Sequence, residues 1–157
     1  MKIIPIGVIH TPHKQATGTP LQPVFAQGTV GVVELFPKFA PGLKDLDGFE
    51  RVWLLYWFDR ASEAKLEVTP FLDTQTRGLF ATRSPCRPNP IGISCVRINR
   101  IDGNVIHVLD VDMLDGTPLL DIKPYVPAFD AHAAERIGWF GTVKGIDVTA
   151  DDRFETK

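Results

Sequence analysis

Two arginines, three prolines and an asparagine lie close together in residues 78–92, which read Gly-Leu-Phe-Ala-Thr-Arg-Ser-Pro-Cys-Arg-Pro-Asn-Pro-Ile-Gly. Proline fixes φ and removes an amide donor, so this composition predicts a stiff loop rather than a helix or a central strand. Such a loop holds Arg83 and Arg87 at set positions, where guanidinium groups can clamp a carboxylate or stabilise developing charge. The alternative is an ordinary proline-rich turn with solvated arginines, and composition does not decide between the two.

Histidines and aspartates give weaker indications of chemistry. His10 and His13 flank a proline and have no third ligand near them in sequence, so no metal site is predicted. Asp110 and Asp112 alternate along a predicted strand and should share one face, with Asp115 following them. Paired-carboxylate chemistry is conceivable there, although a solvated strand face is the commoner cause of such a series. The sequence contains no Gly-rich dinucleotide motif, no phosphate-binding loop and no nucleophile elbow.

The composition is that of one globular domain. The chain has 157 residues, of which 44% are hydrophobic, and we expect a single domain over residues 1–157 with no separate C-terminal domain. No apolar run approaches the roughly 18 residues of a membrane span, and the start lacks a signal peptide's long apolar segment. Cys86 and Cys95 are predicted to be free thiols, which indicates a cytoplasmic protein. The formal charge of −2 argues against a chain-wide nucleic-acid surface but allows a local basic patch.

Turn residues divide the chain into short strand-like segments, which predict an all-β barrel or sandwich. The predicted strands are residues 3–9, 28–36, 51–58, 65–69, 78–82, 92–101, 105–113 and 119–122. Residues 10–27 form a long loop of the kind that is usually functional. One helical turn is expected at residues 41–46 and a helix at residues 131–137, while the charged last residues should be frayed.

Several segments in order resemble one known family. Residues 78–92 closely resemble the signature of the TsaA-like family, which includes the TrmO-type tRNA methyltransferases. Residues 6–12 (Ile-Gly-Val-Ile-His-Thr-Pro) are similar to the opening motif of that family. The further matching segments are residues 21–23, 42–49 and 115–125. The chain departs from the family pattern at Leu79, where a smaller residue is usual, and at Cys86, where an aromatic residue is frequent.

The resemblance implies a fold, a cofactor and a substrate. The fold is a single-sheet closed β-barrel with short helical segments, commonly in a homodimer. The cofactor is S-adenosylmethionine, and the reaction is N6-methylation of threonylcarbamoyladenosine in the tRNA anticodon loop. Two alternatives remain open at this point: a non-catalytic S-adenosylmethionine-binding sensor or adaptor, and a methyltransferase of another small substrate. Because the anticodon loop is single-stranded, Arg83, Arg87, Arg97 and Arg100 are expected to form a basic face for it.

The resemblance also implies the site residues. Arg83 and Arg87 are the expected catalytic cations. The expected cofactor-binding residues are Gln22, Pro23, Val24, Asp59, Arg60, Arg83, Pro88, Asn89, Leu114, Asp115, Gly116 and Thr117. A general base is not identified from the sequence.

Overall fold

A closed antiparallel barrel of six strands forms the centre of the protein. The computed structural model describes residues 2–143 and 148–156. The barrel strands are β1 (Gly7–His10), β2 (Val30–Leu35), β3 (Arg51–Trp57), β6 (Ile91–Asp102), β7 (Val105–Leu109) and β8 (Thr117–Pro124), and β4 (Glu67–Val68) pairs with β5 (Arg77–Gly78) in a separate two-stranded sheet. Around the barrel the order is β1-β2-β7-β6-β3-β8, and β8 pairs with β1 to close it. The predicted all-β, single-sheet closed barrel is confirmed.

The helices are short. They are α1 (Pro127–Asp130) and the 3-10 segments Pro23–Phe25, Pro37–Leu43, Leu46–Gly48, Leu79–Ala81 and Gly138–Thr142. The barrel interior is filled by branched aliphatic side chains, among them Ile9, Val33, Leu54, Val96 and Leu119, all fully buried. No helix in the described parts of the chain is long and apolar enough to cross a membrane.

The first residues of β6 show which of its side chains face the barrel interior. Gly92, Ser94 and Val96 are buried, whereas Ile93 is 46% exposed. The ring of Tyr56, on β3, lies over Gly92 and leaves no room for a side chain there. A Cβ atom at Gly92 would lie 2.2 Å from Tyr56 Cε2. One end of the barrel interior is therefore lined by polar or small groups instead of the apolar residues that alternation alone predicts.

The strand predicted at residues 105–113 ends earlier, at Leu109. Asp110 adopts a left-handed backbone with φ of 73°, which interrupts the alternation of faces. The expectation that Asp110 and Asp112 share a strand face is therefore wrong. Asp110 is 3% exposed, and its carboxylate accepts hydrogen bonds from Arg97 Nε and Nη2 at 2.7 and 2.9 Å.

Three further predictions of local structure are wrong. Residues 131–137 contain no helix. The α-helical turn lies earlier in the chain, at α1, where a proline occupies the first turn. Only Gly78 of the predicted strand at residues 78–82 is in a strand, and Leu79–Ala81 turn into a 3-10 helix that buries Leu79. The C-terminal residues up to Thr156 are not frayed, since Phe154 is 8% exposed and packs against Phe71.

Candidate functional site

A cleft of about 890 Å³ opens at one end of the barrel. Its walls come from the long β1–β2 loop, the end of β3 with the turn after it, residues 80–87, and the connection from β7 to β8. Residues 150–151 and 154–155, near the C terminus, complete the wall. These segments are distant in sequence and meet because antiparallel strands place their ends alternately at the two ends of the barrel. The volume is in the range of small-ligand sites, roughly 300–1,000 Å³.

Arg83 bridges two walls of the cleft. Its Nη1 donates a hydrogen bond of 2.5 Å to Gln22 Oε1 on the β1–β2 loop. Both residues line the cleft and both belong to the cofactor-binding set predicted above. The Arg83 side chain is exposed, so its guanidinium retains donors that can reach a bound anion.

Arg87 stabilises the proline-rich loop from inside. Its Nη1 donates to Thr82 O at 3.0 Å and to Ser84 O at 3.4 Å, and its guanidinium carbon lies 5.7 Å from the centre of the Phe80 ring. Phe80 is 77% exposed at the rim of the cleft. Arg87 thus donates to two backbone carbonyl groups of the loop to which it belongs. The prolines of this loop have no amide hydrogen that could serve as a donor instead. Arg87 lines the cleft as well, so both predicted arginines lie there.

Asp115 organises the β7–β8 connection. Its Oδ1 accepts a hydrogen bond of 3.0 Å from Thr11 N, and its Oδ2 accepts one of 2.6 Å from Lys14 Nζ. The hydrogen bond from Lys14, together with that from the Thr11 amide, holds the pKa of the Asp115 carboxyl below its usual value. Arg60 donates to the backbone carbonyl of Asp115, so the turn after β3 is tied to the same connection.

A chain of three polar side chains leads from the barrel interior into the cleft. Tyr56 Oη lies 3.0 Å from Ser94 Oγ, and Ser94 Oγ donates a hydrogen bond of 2.6 Å to Asp112 Oδ1. Tyr56 and Asp112 line the cleft, and Ser94 is 1% exposed behind them. Burial raises the pKa of Asp112 to about 7, although the hydrogen bond from Ser94 and the charge of Arg83 act in the opposite direction. Burial likewise raises the pKa of Tyr56, with Asp112 as the second cause, so the phenol is neutral at physiological pH.

The C-terminal segment of residues 148–156 forms one wall of the cleft. Ser62 N donates to Phe154 O at 3.0 Å, and Ala16 N donates to Glu155 Oε1 at 3.1 Å. Cys86, which is fully buried, has its Sγ 3.1 Å from Ser62 Oγ and packs in one apolar cluster with Phe154. This explains the cysteine in the proline-rich loop: a small apolar residue accommodates the returning chain.

The cleft brings together most of the predicted site residues but not all of them. The predicted residues that line it are Gln22, Val24, Asp59, Arg60, Arg83, Arg87, Leu114 and Thr117. Pro23, Pro88, Asn89, Asp115 and Gly116 are adjacent in sequence to lining residues or one residue removed, and do not line it. Arg97 and Arg100 lie further along β6, where Arg97 is paired with Asp110 and Arg100 with Asp102, so neither extends the cleft.

Sequence reasoning missed three parts of this site. Tyr56 was assigned to core packing, Ser94 carries no sequence signal, and Asp112 was considered only as a partner of Asp110. The usable signal was Gly92, because a glycine inside a strand indicates a close approach by another group. No group of three or more histidines, cysteines and carboxylates suited to a metal ion occurs among the described residues, and His13 Nε2 instead lies 3.0 Å from Val111 O.

Known proteins resemble this chain over most of its length. A family model described as the tRNA-methyltransferase O N-terminal domain matches residues 8–131. A probable S-adenosyl-L-methionine-binding protein of Pyrococcus abyssi is 52% identical over 135 residues, which are 86% of this chain and 73% of that protein. A mouse tRNA (adenine(37)-N6)-methyltransferase is 34% identical over 135 residues, which are 81% of this chain and 31% of that protein.

A solved structure shares the fold. The crystal structure of TrmO from Pseudomonas aeruginosa superimposes with a TM-score of 0.75 at 38% identity, covering 88% of this chain and 62% of that chain. The chain thus spans somewhat less than two thirds of the solved TrmO chain. The match of the family model to residues 8–131, together with the shared barrel, settles the family. The chain belongs to the tRNA-methyltransferase O N-terminal domain family, and its relatives include proteins named as S-adenosyl-L-methionine-binding proteins and as S-adenosylmethionine-dependent methyltransferases.

Proposed function

We propose that the cleft binds S-adenosylmethionine and methylates N6 of threonylcarbamoyladenosine in the anticodon loop of tRNA. The observation that carries the proposal is the convergence of Gln22, Arg60, Arg83 and Leu114, from four separate segments, on one cleft. The name of the mouse relative supports methylation of an adenine at tRNA position 37, and the threonylcarbamoyl group is the part that rests on the family resemblance.

The residues of the cleft fit the chemical groups of S-adenosylmethionine. Apolar walls from Phe25, Phe58 and Leu114 suit an adenine ring, and the exposed Asp59 carboxylate suits hydroxyl or ammonium donors. Arg83, which keeps free donors, suits the carboxylate of the methionine part. Ser84 Oγ is buried without a hydrogen-bond partner among the described residues, so the loop offers an unused polar atom beside Arg83.

When bound, S-adenosylmethionine supplies an electrophilic methyl group. The residues of this chain contribute mainly by holding the acceptor nitrogen in line with that methyl group, which needs an approach of about 3–3.5 Å. Arg83 and Arg87 place positive charge beside the cleft, where they can bind the threonyl carboxylate of the acceptor or stabilise charge on its carbamoyl oxygen.

The rim of the cleft suits a single-stranded nucleic acid. Phe80 is 77% exposed and has the Arg87 guanidinium against its ring, so it can stack on an unpaired base while the cation faces a phosphate. Val24, which also lines the cleft, is 62% exposed. This rim supports an anticodon loop as the partner, and a tRNA substrate together with the free thiols of Cys86 and Cys95 suits a cytoplasmic location.

The test is methyl transfer from labelled S-adenosylmethionine to a matched pair of tRNAs, one with and one without the threonylcarbamoyl group. Nucleoside mass spectrometry should find the methyl group only on the modified adenosine. Arg83→Ala should abolish transfer while the circular dichroism spectrum is unchanged, and Arg100→Ala, outside the cleft, should transfer normally. Equal transfer to both tRNAs would contradict the proposed substrate.

A non-catalytic S-adenosylmethionine-binding sensor is the second candidate. It is favoured by one observation: the chain covers 93% of an Archaeoglobus fulgidus protein named only as S-adenosyl-L-methionine-binding, at 42% identity. Cofactor binding by calorimetry without methylation of any tRNA would favour the sensor. A homodimer is also proposed, and light scattering at twice the chain mass tests it.

A further inference from the structure

We propose that Asp112 is the general base that takes the proton lost by the acceptor nitrogen during methyl transfer. The inference rests on the proposed function and adds the residue that the sequence left unidentified. It is carried by the position of Asp112 in the lining of the cleft, near the charge of Arg83 and hydrogen-bonded to the buried Ser94 hydroxyl, which in turn contacts Tyr56.

The proposed step conserves atoms and charge. The carbon–sulfur bond of the sulfonium breaks as the new nitrogen–carbon bond forms, and the electron pair of the broken bond remains on sulfur. The nitrogen gives up its proton to the Asp112 carboxylate, which becomes a neutral acid. A nitrogen flanked by a carbamoyl group and a purine is a poor nucleophile while it holds its proton, so removing that proton is where a base contributes most.

Other carboxylates of the cleft are less suited to this role. Asp151 is bound by Arg153 at 2.6 Å, and Glu155 accepts the amide of Ala16, so both are committed to structure. Asp59 is exposed to solvent at the rim. Asp112 is less exposed than Asp59, and it forms no ion pair with a described residue; Ser94 is the one described side chain that donates a hydrogen bond to it.

The surroundings of Asp112 give its carboxyl group a pKa that suits proton transfer near neutral pH. The groups that face it are Tyr56 from β3, Ser94 from β6 and Arg83 from the proline-rich loop. Its pKa of about 7 means that at pH 7–8 a large fraction is ionised while the group remains a useful base. Ser94 fixes the orientation of the carboxylate through Oδ1, and the backbone amide of Asp112 itself also donates to the carboxylate, so Ser94 is a positioning residue.

The experiment compares wild type, Asp112→Asn and Ser94→Ala in methyl transfer to threonylcarbamoylated tRNA between pH 5.5 and 9. Wild-type kcat should rise through about pH 7 and then level off. Asp112→Asn should lower kcat by about 100-fold or more and remove the pH-dependent rise. Its S-adenosylmethionine affinity, measured by calorimetry, should stay within about threefold, since the amide still accepts from Ser94. Ser94→Ala should move the rise to higher pH, because it removes a hydrogen bond that lowers the pKa of Asp112.

Asp121→Asn is the matched control. Asp121 lies on the outside of β8 and pairs with Lys123, so its replacement should leave both rate and pH profile unchanged. If Asp112→Asn keeps a rate within about threefold of wild type and keeps the pH-dependent rise, the assignment of Asp112 is overturned while the proposed function stands. If wild type transfers no methyl group to this tRNA, the proposed function itself fails and the base assignment fails with it.

Discussion

Replacing Asp112 by asparagine should change how the stability of the protein depends on pH. Burial raises the carboxyl's pKa from 3.8 to about 7. When folding raises the pKa of an acidic side chain, the protein loses stability as the pH increases from the unfolded-state pKa to the folded-state pKa of that side chain. The loss is about 1.4 kcal/mol per pH unit. The penalty is absent below pH 3.8 and complete above about pH 7. Asp112→Asn keeps the side-chain shape but cannot ionise, so it removes the penalty.

The magnitude follows from the two pKa values. Between pH 5 and pH 8 the unfolding free energy of wild type should fall by about 2.5 kcal/mol relative to that of Asp112→Asn. For a chain of this length that is a relative shift in Tm of roughly 5–10 °C. Thermal unfolding of both proteins across this pH range measures the difference, and other titrating groups cancel because they are common to both. A difference that stays constant from pH 5 to pH 8 would refute the raised pKa of Asp112.

Three other substitutions test the packing around the cleft. Gly92→Ala should cost about 1–3 kcal/mol in urea unfolding, because its Cβ would lie 2.2 Å from the Tyr56 ring, whereas Gly42→Ala, with open space around it, should cost little. Phe154→Ala should cost about 3 kcal/mol and weaken S-adenosylmethionine binding in calorimetry, since residue 154 anchors a wall of the cleft. Asp110→Asn should destabilise by about 2 kcal/mol at pH 7 in thermal unfolding. That deficit should shrink towards pH 3, because the Arg97 hydrogen bond lowers the pKa of Asp110 and its contribution is lost in acid.

The sequence predicted the barrel well because its signals are local. Turn residues such as Asp102-Gly103-Asn104 mark the β6–β7 hairpin, and branched residues fill β3 and β7. The helix predicted at residues 131–137 does not form, although its residues favour helix. These residues are exposed, so a helix there would gain little stability from packing.

The site was predictable only in part. Arg83 and Gln22 follow from the family resemblance, and the structure brings them to 2.5 Å from each other. Asp112 did not follow, because the left-handed backbone of Asp110 ends the strand alternation before it, and alternation therefore could not place Asp112 in the cleft. The C-terminal wall was missed for a similar reason: its charged sequence conceals a single buried anchor, Phe154.

We propose that one cleft at the end of the barrel performs methyl transfer. The most direct measurement is a crystal structure of the protein with S-adenosylhomocysteine, the product of the reaction. We predict that the product lies in the cleft, within hydrogen-bond reach of Gln22 or Arg83, with its sulfur facing a space that Asp112 borders. Product bound elsewhere on the protein, or no binding at millimolar concentration, would contradict it.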